Sequence, residues 1–286
     1  MRYGPAVRRR KLGAELRALR TLAGLTSGQA AGRVGWHQSK VSRIETGRSG
    51  VKAADVTLLL EAYEVKDPQL RQLLVALAGT DDEGGRRHWW HAYRELLPPA
   101  YRDFISLESQ ACRVRTLETT VVPGLLQTPD YARAVTRAAL DGLPDEQVDA
   151  LVEVRLARQD VLRASPPLRL SVILDEAVLR RPVGGSRVLA GQLKQLLNAT
   201  QLPHVRLQVL PFAAGEHRGL IGSFVILSFP NISDLDVVVL DHLTSSLYLE
   251  RKEDLQAYTD AFNSLQEQAL SPEESTDHIA GTGDGA

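Results

Sequence analysis

Between His37 and Ile44 five hydrogen-bonding residues fall close together: Gln38, Ser39, Lys40, Ser42 and Arg43. Val41 and Ile44, three residues apart, are the only apolar stripe of that segment, so a helix there buries those two and exposes the five. Amide, hydroxyl and guanidinium groups on one helical face suit the edges of base pairs in a major groove about 12 Å wide. Other groupings suit other chemistry. Asp175 and Glu176 are adjacent carboxylates, and Glu216, His217 and Arg218 lie in a Gly-flanked loop. Acid–base catalysis needs such groups held in a pocket that shifts their pKa. Neighbours at a helix start diverge, however, so Asp175 is expected as an N-cap with Glu176 in the first turn. For the loop from Ala213 to Gly222 two readings stand side by side, a ligand-contacting loop that includes His217 and a plain connection between strands. Arg155 and Arg158 share a helix and suit either an anionic effector or a helix-to-helix ion pair. Cys112 has no motif histidine near it and is expected to be a small buried residue. No zinc-deaminase, nuclease or nucleophile-elbow pattern occurs in the sequence, so we expect no enzyme activity. A single cysteine with scattered histidines also argues against a metal site, and no cofactor is expected.

The elements that position these groups follow from periodicity. Leu12, Leu16 and Leu19 recur at helical spacing before Gly24. A second helix begins near Thr26 or Ser27 and ends at Gly35, with Ala31 as the small residue where two helices cross. The helix carrying Gln38 to Arg43 follows. Val56, Leu59, Leu60 and Tyr63 mark a fourth helix, and Leu70, Leu73, Leu74 and Leu77 a fifth. Residues 1–78 hold 14 Lys/Arg against 6 Asp/Glu, whereas the remainder holds 20 against 29. A basic head on an acidic body points to a polyanion as the partner of the head alone. Arg8, Arg9, Arg10 and Lys11 are read either as a phosphate- or groove-binding arm or as a solvated helix end.

Residues 79–85, GTDDEGG, are expected to be a linker. Beyond them helical patterns alternate with β-type runs. Trp89, Trp90, Tyr93 and Leu97 suggest a helix closed by Pro98 and Pro99; further helices are expected over 131–140, 146–162, 188–197 and 255–270. Strands are expected over 168–174, 205–210, 224–229, 237–240 and 247–249. Residues 271–286 have almost nothing to bury and are expected to be disordered. The fold class is therefore α+β: an all-α five-helix head followed by a larger mixed domain over 86–270. No run is long and apolar enough to span a membrane, and with no secretory signal the chain is expected to be cytoplasmic.

Residues 20–47, RTLAGLTSGQAAGRVGWHQSKVSRIETG, resemble the helix-turn-helix of the phage-repressor-like (XRE) family. That resemblance implies that Gln38 and Ser39, at the start of the recognition helix, and Arg43, one turn later, read base edges. It implies that Lys40, Thr46 and Arg48 approach phosphates, together with Ser27, which stands where the family usually has Gln. It also implies an ion pair between Arg20 and Glu45. The chain departs from the family pattern at Ala30, where Leu is usual, and at Trp36. Five further strings, VVPGLLQTPDYARAV (121–135), RLARQDVL (155–162), ILDEAVLRRPVGG (173–185), LQVLPFAAGEHRGLIGSF (207–224) and LYLE (247–250), resemble the C-terminal domain of actinomycete antitoxin-like transcriptional regulators. The resemblance implies a double-stranded DNA operator, autoregulation and a small partner protein encoded nearby. A body that dimerises would place two heads on half-sites about 10 base pairs apart or a multiple of that.

Overall fold

The computed structural model describes residues 5–78, 92–93, 95–229, 236–242 and 245–283. The chain divides into two compact units, residues 1–94 with 98–106 and residues 95–97 with 107–286. The expected linker, 79–85, and the aromatic pair Trp89 and Trp90 lie outside the described residues.

Residues 5–78 of the first unit form five helices: α1 (Pro5–Leu22), α2 (Ser27–Arg33), α3 (Gln38–Glu45), α4 (Ala53–Ala62) and α5 (Pro68–Ala78). Each buries the apolar stripe its sequence offers, and Leu12, Leu16, Val41, Val56, Leu59, Leu60 and Leu74 form the core. The basic run expected before the first helix instead lies inside α1, with Lys11 buried. The side chains of Arg8 and Arg10 lie outside the described residues.

A helix α6 (Pro99–Glu108) follows. The prolines read as closing a helix at 98–99 open one instead, because proline lacks only an N–H that the first helical position leaves unpaired anyway. Residues 95–97 form a turn and a bend.

The second unit is built on one mixed six-stranded sheet, β1 (Arg113–Glu118), β2 (Arg169–Asp175), β3 (Val205–Leu210), β4 (Phe224–Ser228), β5 (Val237–His242) and β6 (Ser245–Leu249). The spatial order is β3-β2-β1-β4-β5-β6, with β1, β2 and β3 parallel and β4 to β6 antiparallel. The parallel strands are joined through α7 (Pro129–Ala139) with α8 (Asp145–Arg158), and then through α9 (Glu176–Arg180) with α10 (Ser186–Ala199). Strand β1 was not expected from the sequence. Arg113, Arg115 and Thr116 leave it without the apolar run that marks the other strands.

Across one face of the sheet lies α11 (Lys252–Gln268), whose Phe262 and Leu265 pack with Leu117, Ile173, Phe224, Ile226 and Val238. Burying a Phe or Leu side chain of this kind contributes about 1.5–3 kcal/mol. The tail expected to be disordered folds as α12 (Pro272–Gly283). Ser271 and Glu274 form reciprocal N-terminal hydrogen bonds, Glu274 N to Ser271 Oγ at 3.1 Å and Ser271 N to Glu274 Oε2 at 2.8 Å. One apolar side chain, Ile279, then suffices to dock the helix, fully buried. Together these results show an α+β protein with a helical head.

Candidate nucleic-acid interface

The helix-turn-helix is α2, a short turn and α3. Thr26 caps α2, accepting from Gln29 N at 3.2 Å while the Gln29 side chain accepts from Thr26 N at 2.8 Å. Gly35 adopts φ +69, a left-handed value that a side chain would disfavour, and this lets Trp36 N return to Ala31 O at 2.8 Å. Ala30 and Ala31 are buried where α2 meets the core. In α3, Val41 and Ile44 face inward while Gln38, Ser39, Ser42 and Arg43 are exposed. That is the division the sequence spacing predicts, except that Lys40 is half-buried.

The orientation of α3 is fixed by a bidentate ion pair. Arg20 Nε donates to Glu45 Oε1 at 2.7 Å and Nη2 to Glu45 Oε2 at 3.0 Å, while Nη1 donates to Leu25 O at 2.6 Å. Both side chains are largely withdrawn from water, at 12% and 4% exposure. The Glu45 hydrogen bonds hold the Arg20 pKa above its ordinary value against the effect of burial. Tyr63 beside them has its hydroxyl pushed up, first by burial and then by the Glu45 charge.

A second constraint has no counterpart in the motif reading. Gly13 of α1 lies so close to the end of α3 that a Cβ built there would stand 2.3 Å from Ile44 O and 2.8 Å from Glu45 O. The backbone of α1 therefore touches the backbone of the recognition helix at its last turn. The signal available in the sequence was a glycine inside the otherwise helical KLGAEL, where glycine costs about 1 kcal/mol unless packing requires it.

The remaining residues of the interface divide by what they touch. Gln38 Nε2 donates to Ser27 Oγ at 3.0 Å, which brings the starts of α2 and α3 together and leaves the Ser27 hydroxyl proton to donate elsewhere. Arg43 Nε donates to Ser39 O at 3.2 Å, so the guanidinium lies along the exposed face. Lys40 turns away from that face: its Nζ pairs with Asp55 Oδ2 at 3.0 Å and sits 3.5 Å from the centroid of the Trp36 ring. Trp36 thus serves as a platform for Lys40. The Thr46 hydroxyl donates to Ser42 O at 2.8 Å and closes the end of α3. Arg48 is exposed just beyond it.

In the second unit Arg155, Arg158, His217, Asp175 and Glu176 have structural partners, whereas Glu216 and Arg218 are exposed. Arg158 is buried and forks onto Glu108, Nε to Oε2 and Nη2 to Oε1, both at 2.8 Å. Of its two readings the structure realises the helix-to-helix ion pair, and the guanidinium also packs against Gly124. Arg155 Nη1 donates to Gln127 Oε1 at 2.8 Å. His217 accepts from Gly219 N at 3.1 Å through Nδ1 and caps the short turn Arg218–Ile221. Asp175 accepts from Ala177 N at 2.8 Å as an N-cap, and Glu176 pairs with Arg180 and accepts from Phe212 N at 2.9 Å. Cys112, expected to be buried, is exposed, with Sγ 3.4 Å from Ser228 O. It precedes β1 at the end of the sheet, outside the strand interior. No cluster of three metal-ligating side chains occurs among the described residues. No helix among them is long and apolar enough to cross a membrane.

Comparison with known families supports the division seen in the fold. The pattern of a helix-turn-helix domain family matches residues 11–74, which span the last part of α1 through α5. No curated protein and no solved structure matches the chain. The head is a helix-turn-helix DNA-binding domain, and a regulator of transcription is the class of protein to which such a domain belongs. The second match covers residues 101–281, well over half of the sequence, from α6 to α12; the chain accordingly belongs to the family defined by the domain of unknown function DUF5753.

Proposed function

We propose that the chain is a sequence-specific, XRE-type transcriptional regulator, cytoplasmic and antitoxin-like, that controls its own operator. The observation that carries this reading is the exposed polar face of α3, held at a fixed angle by the Arg20–Glu45 pair. Gln38, Ser39 and Arg43 read base edges, Arg43 through guanine O6 and N7 and Gln38 through adenine. Ser27 and Arg48 take the flanking phosphates, whereas Lys40 and Thr46 contribute by holding α3 in place. The body dimerises, because one recognition helix spans few base pairs and specific regulators need about 4–10 kcal/mol over random DNA. No catalytic step is assigned to the body.

The direct test is Arg43→Ala, measured on a duplex selected from random sequence and on an unselected duplex. A base-reading Arg43 predicts a loss of about 1–3 kcal/mol on the selected duplex and little on the other. Equal losses on both would reduce Arg43 to a phosphate contact. Sedimentation of the full chain and of residues 86–286 tests the dimer.

One observation favours a protein partner as well. Phe212, Leu220 and Ile221, in the loop between β3 and β4, are 60%, 70% and 79% exposed. Three apolar side chains exposed in one loop suit a protein surface better than solvent. Purification of the native complex would yield a stoichiometric small protein on this reading, and none if the body is only a dimerisation unit.

A further inference from the structure

The sheet face that packs against α11 changes character toward the start of the parallel strands. Arg113 of β1 is the register partner of Arg169 on β2; Arg115 partners Ser171, and Ser171 partners Arg206 of β3. Residues two apart on a strand share a face, and so do register partners, so all four arginines lie on the face that carries Leu117 and Ile173. With strands about 4.8 Å apart, the four side chains start within a patch about 10 Å across. They line one cavity of about 490 Å³, whose wall also includes His204, Phe262 and Gln266.

Arg206 Nε donates to Gln208 Oε1 at 2.9 Å, but Arg113 and Arg169 have no such side-chain partner among the described residues. No carboxylate pairs with Arg113, Arg169 or Arg206 among the described residues. Like charges directly opposite on neighbouring strands are destabilising. Arg115 forms the floor: its Nη2 donates to Thr259 Oγ1 at 3.3 Å, and its guanidinium lies 5.9 Å from the Phe262 ring centroid. Its Nε is buried without a hydrogen-bond partner, and so is His204 Nε2 in the cavity wall. Burial lowers the Arg115 pKa, with Asp236 opposing and Arg113 adding to the effect.

We infer that this cavity binds a small phosphate-bearing anion, clasped by Arg113, Arg169 and Arg206 over an Arg115 floor. Guanidinium forks match phosphate oxygens two at a time, and several together call for a ligand with more than one negative charge. The cavity volume falls within the range of small-molecule pockets, about 300–1,000 Å³. A DNA backbone is the less suitable occupant, since the site is a concavity in the part of the chain where acidic residues outnumber basic ones 29 to 20. The inference is independent of base reading by the head, because every residue in it belongs to the body.

The experiment is calorimetric titration of the full-length protein with sodium pyrophosphate and with ATP, at constant ionic strength. Saturable one-to-one binding is expected, weakened at least about tenfold in Arg113→Ala/Arg169→Ala and unchanged in Arg43→Ala. Tighter binding of ATP than of pyrophosphate would assign the site to a nucleotide, and equal binding to the phosphates alone. Circular dichroism checks that the double variant folds; Arg206→Ala, on the edge strand, provides the same reading if it does not. Absence of saturable binding at millimolar probe, or wild-type binding by the arginine variants, overturns the inference. A loss of random-duplex affinity in the same variants, with neither probe bound, would instead give the patch to DNA and overturn it equally.

Discussion

Substituting Gly13 by alanine sets two physical effects against each other, and the structure decides the sign. In an exposed helix interior the change stabilises by about 1 kcal/mol, because alanine has less backbone freedom to lose. Here the new Cβ would stand 2.3 Å from Ile44 O, where real contacts essentially never fall below 3.0 Å. The obstacle is backbone at the end of α3, not a side chain that can rotate away. Relief requires α1 and α3 to separate, and overpacking of this kind costs about 1–3 kcal/mol or more. Steric cost exceeds propensity gain, and a net destabilisation of about 1–2 kcal/mol is expected. For a head of this size that lowers its melting temperature by about 4–16 °C. The same displacement tilts the helix that carries Arg43, so affinity for a selected duplex should fall while salt-dependent binding to random DNA persists. Scanning calorimetry of the full chain reads the first quantity and duplex titration the second. A Gly13→Ala protein that melts higher than wild type and keeps its sequence preference would refute the reasoning.

Glu45→Gln removes the charge that faces a nearly buried Arg20, and a loss of about 1–3 kcal/mol in head stability is expected; a double-mutant cycle with Arg20→Lys should show strong coupling, and additivity would dismiss the pair as an orienting device. Glu118 at the end of β1 has its carboxyl pushed up to about 8, by burial first and by Asp241 next, against the Thr116 hydrogen bond and the Arg158 charge. The protonated form therefore belongs to the fold: its contribution is complete below the unfolded value of 4.5 and is lost as pH rises toward 8. Glu118→Gln should then raise the denaturation midpoint of the body above pH 8 and leave it nearly unchanged at pH 4; a pH-independent effect would contradict this. Removing residues 271–286 should destabilise the body by about 3 kcal/mol, since it exposes the site of Ile279 and leaves Val209 N without Ser275 Oγ at 2.9 Å; an unchanged urea midpoint would mean that α12 is dispensable.

The head was legible because its constraints are local. Gly35, Ala31 and the Val41–Ile44 spacing each act within a few residues, and the α3 face followed from them. Gly13 was not, because its role is set by a carbonyl 31 residues farther along the chain, and only the assembled crossing reveals it. In the body most strands announced themselves through apolar runs, whereas β1 hid behind Arg113 and Arg115, whose faces pattern analysis assigns to solvent. Polarity misled again at the C-terminus. PEESTDHIA looks unable to bury anything, yet a capping box visible in SPEE and one isoleucine are enough once β3 provides a surface. The roles of Arg155, Arg158 and His217 were underdetermined, because an arginine beside a hidden glutamate and an arginine awaiting a ligand read alike in a sequence.

The α12 segment also covers one rim of the sheet. β3 is a border strand, and Val209 there receives Leu270 N on its carbonyl at 2.9 Å and offers its own N–H to Ser275. Those last residues act as a selvage, occupying polar groups that would otherwise template a foreign strand. Strand-to-strand joining of two copies is thereby disfavoured at this border, which leaves β6 as the other border strand of the sheet. A tag or fusion appended after Ala286 that pulls α12 from its seat would open the β3 border as well, and self-association into open-ended chains, rather than closed pairs, is the form that damage would take.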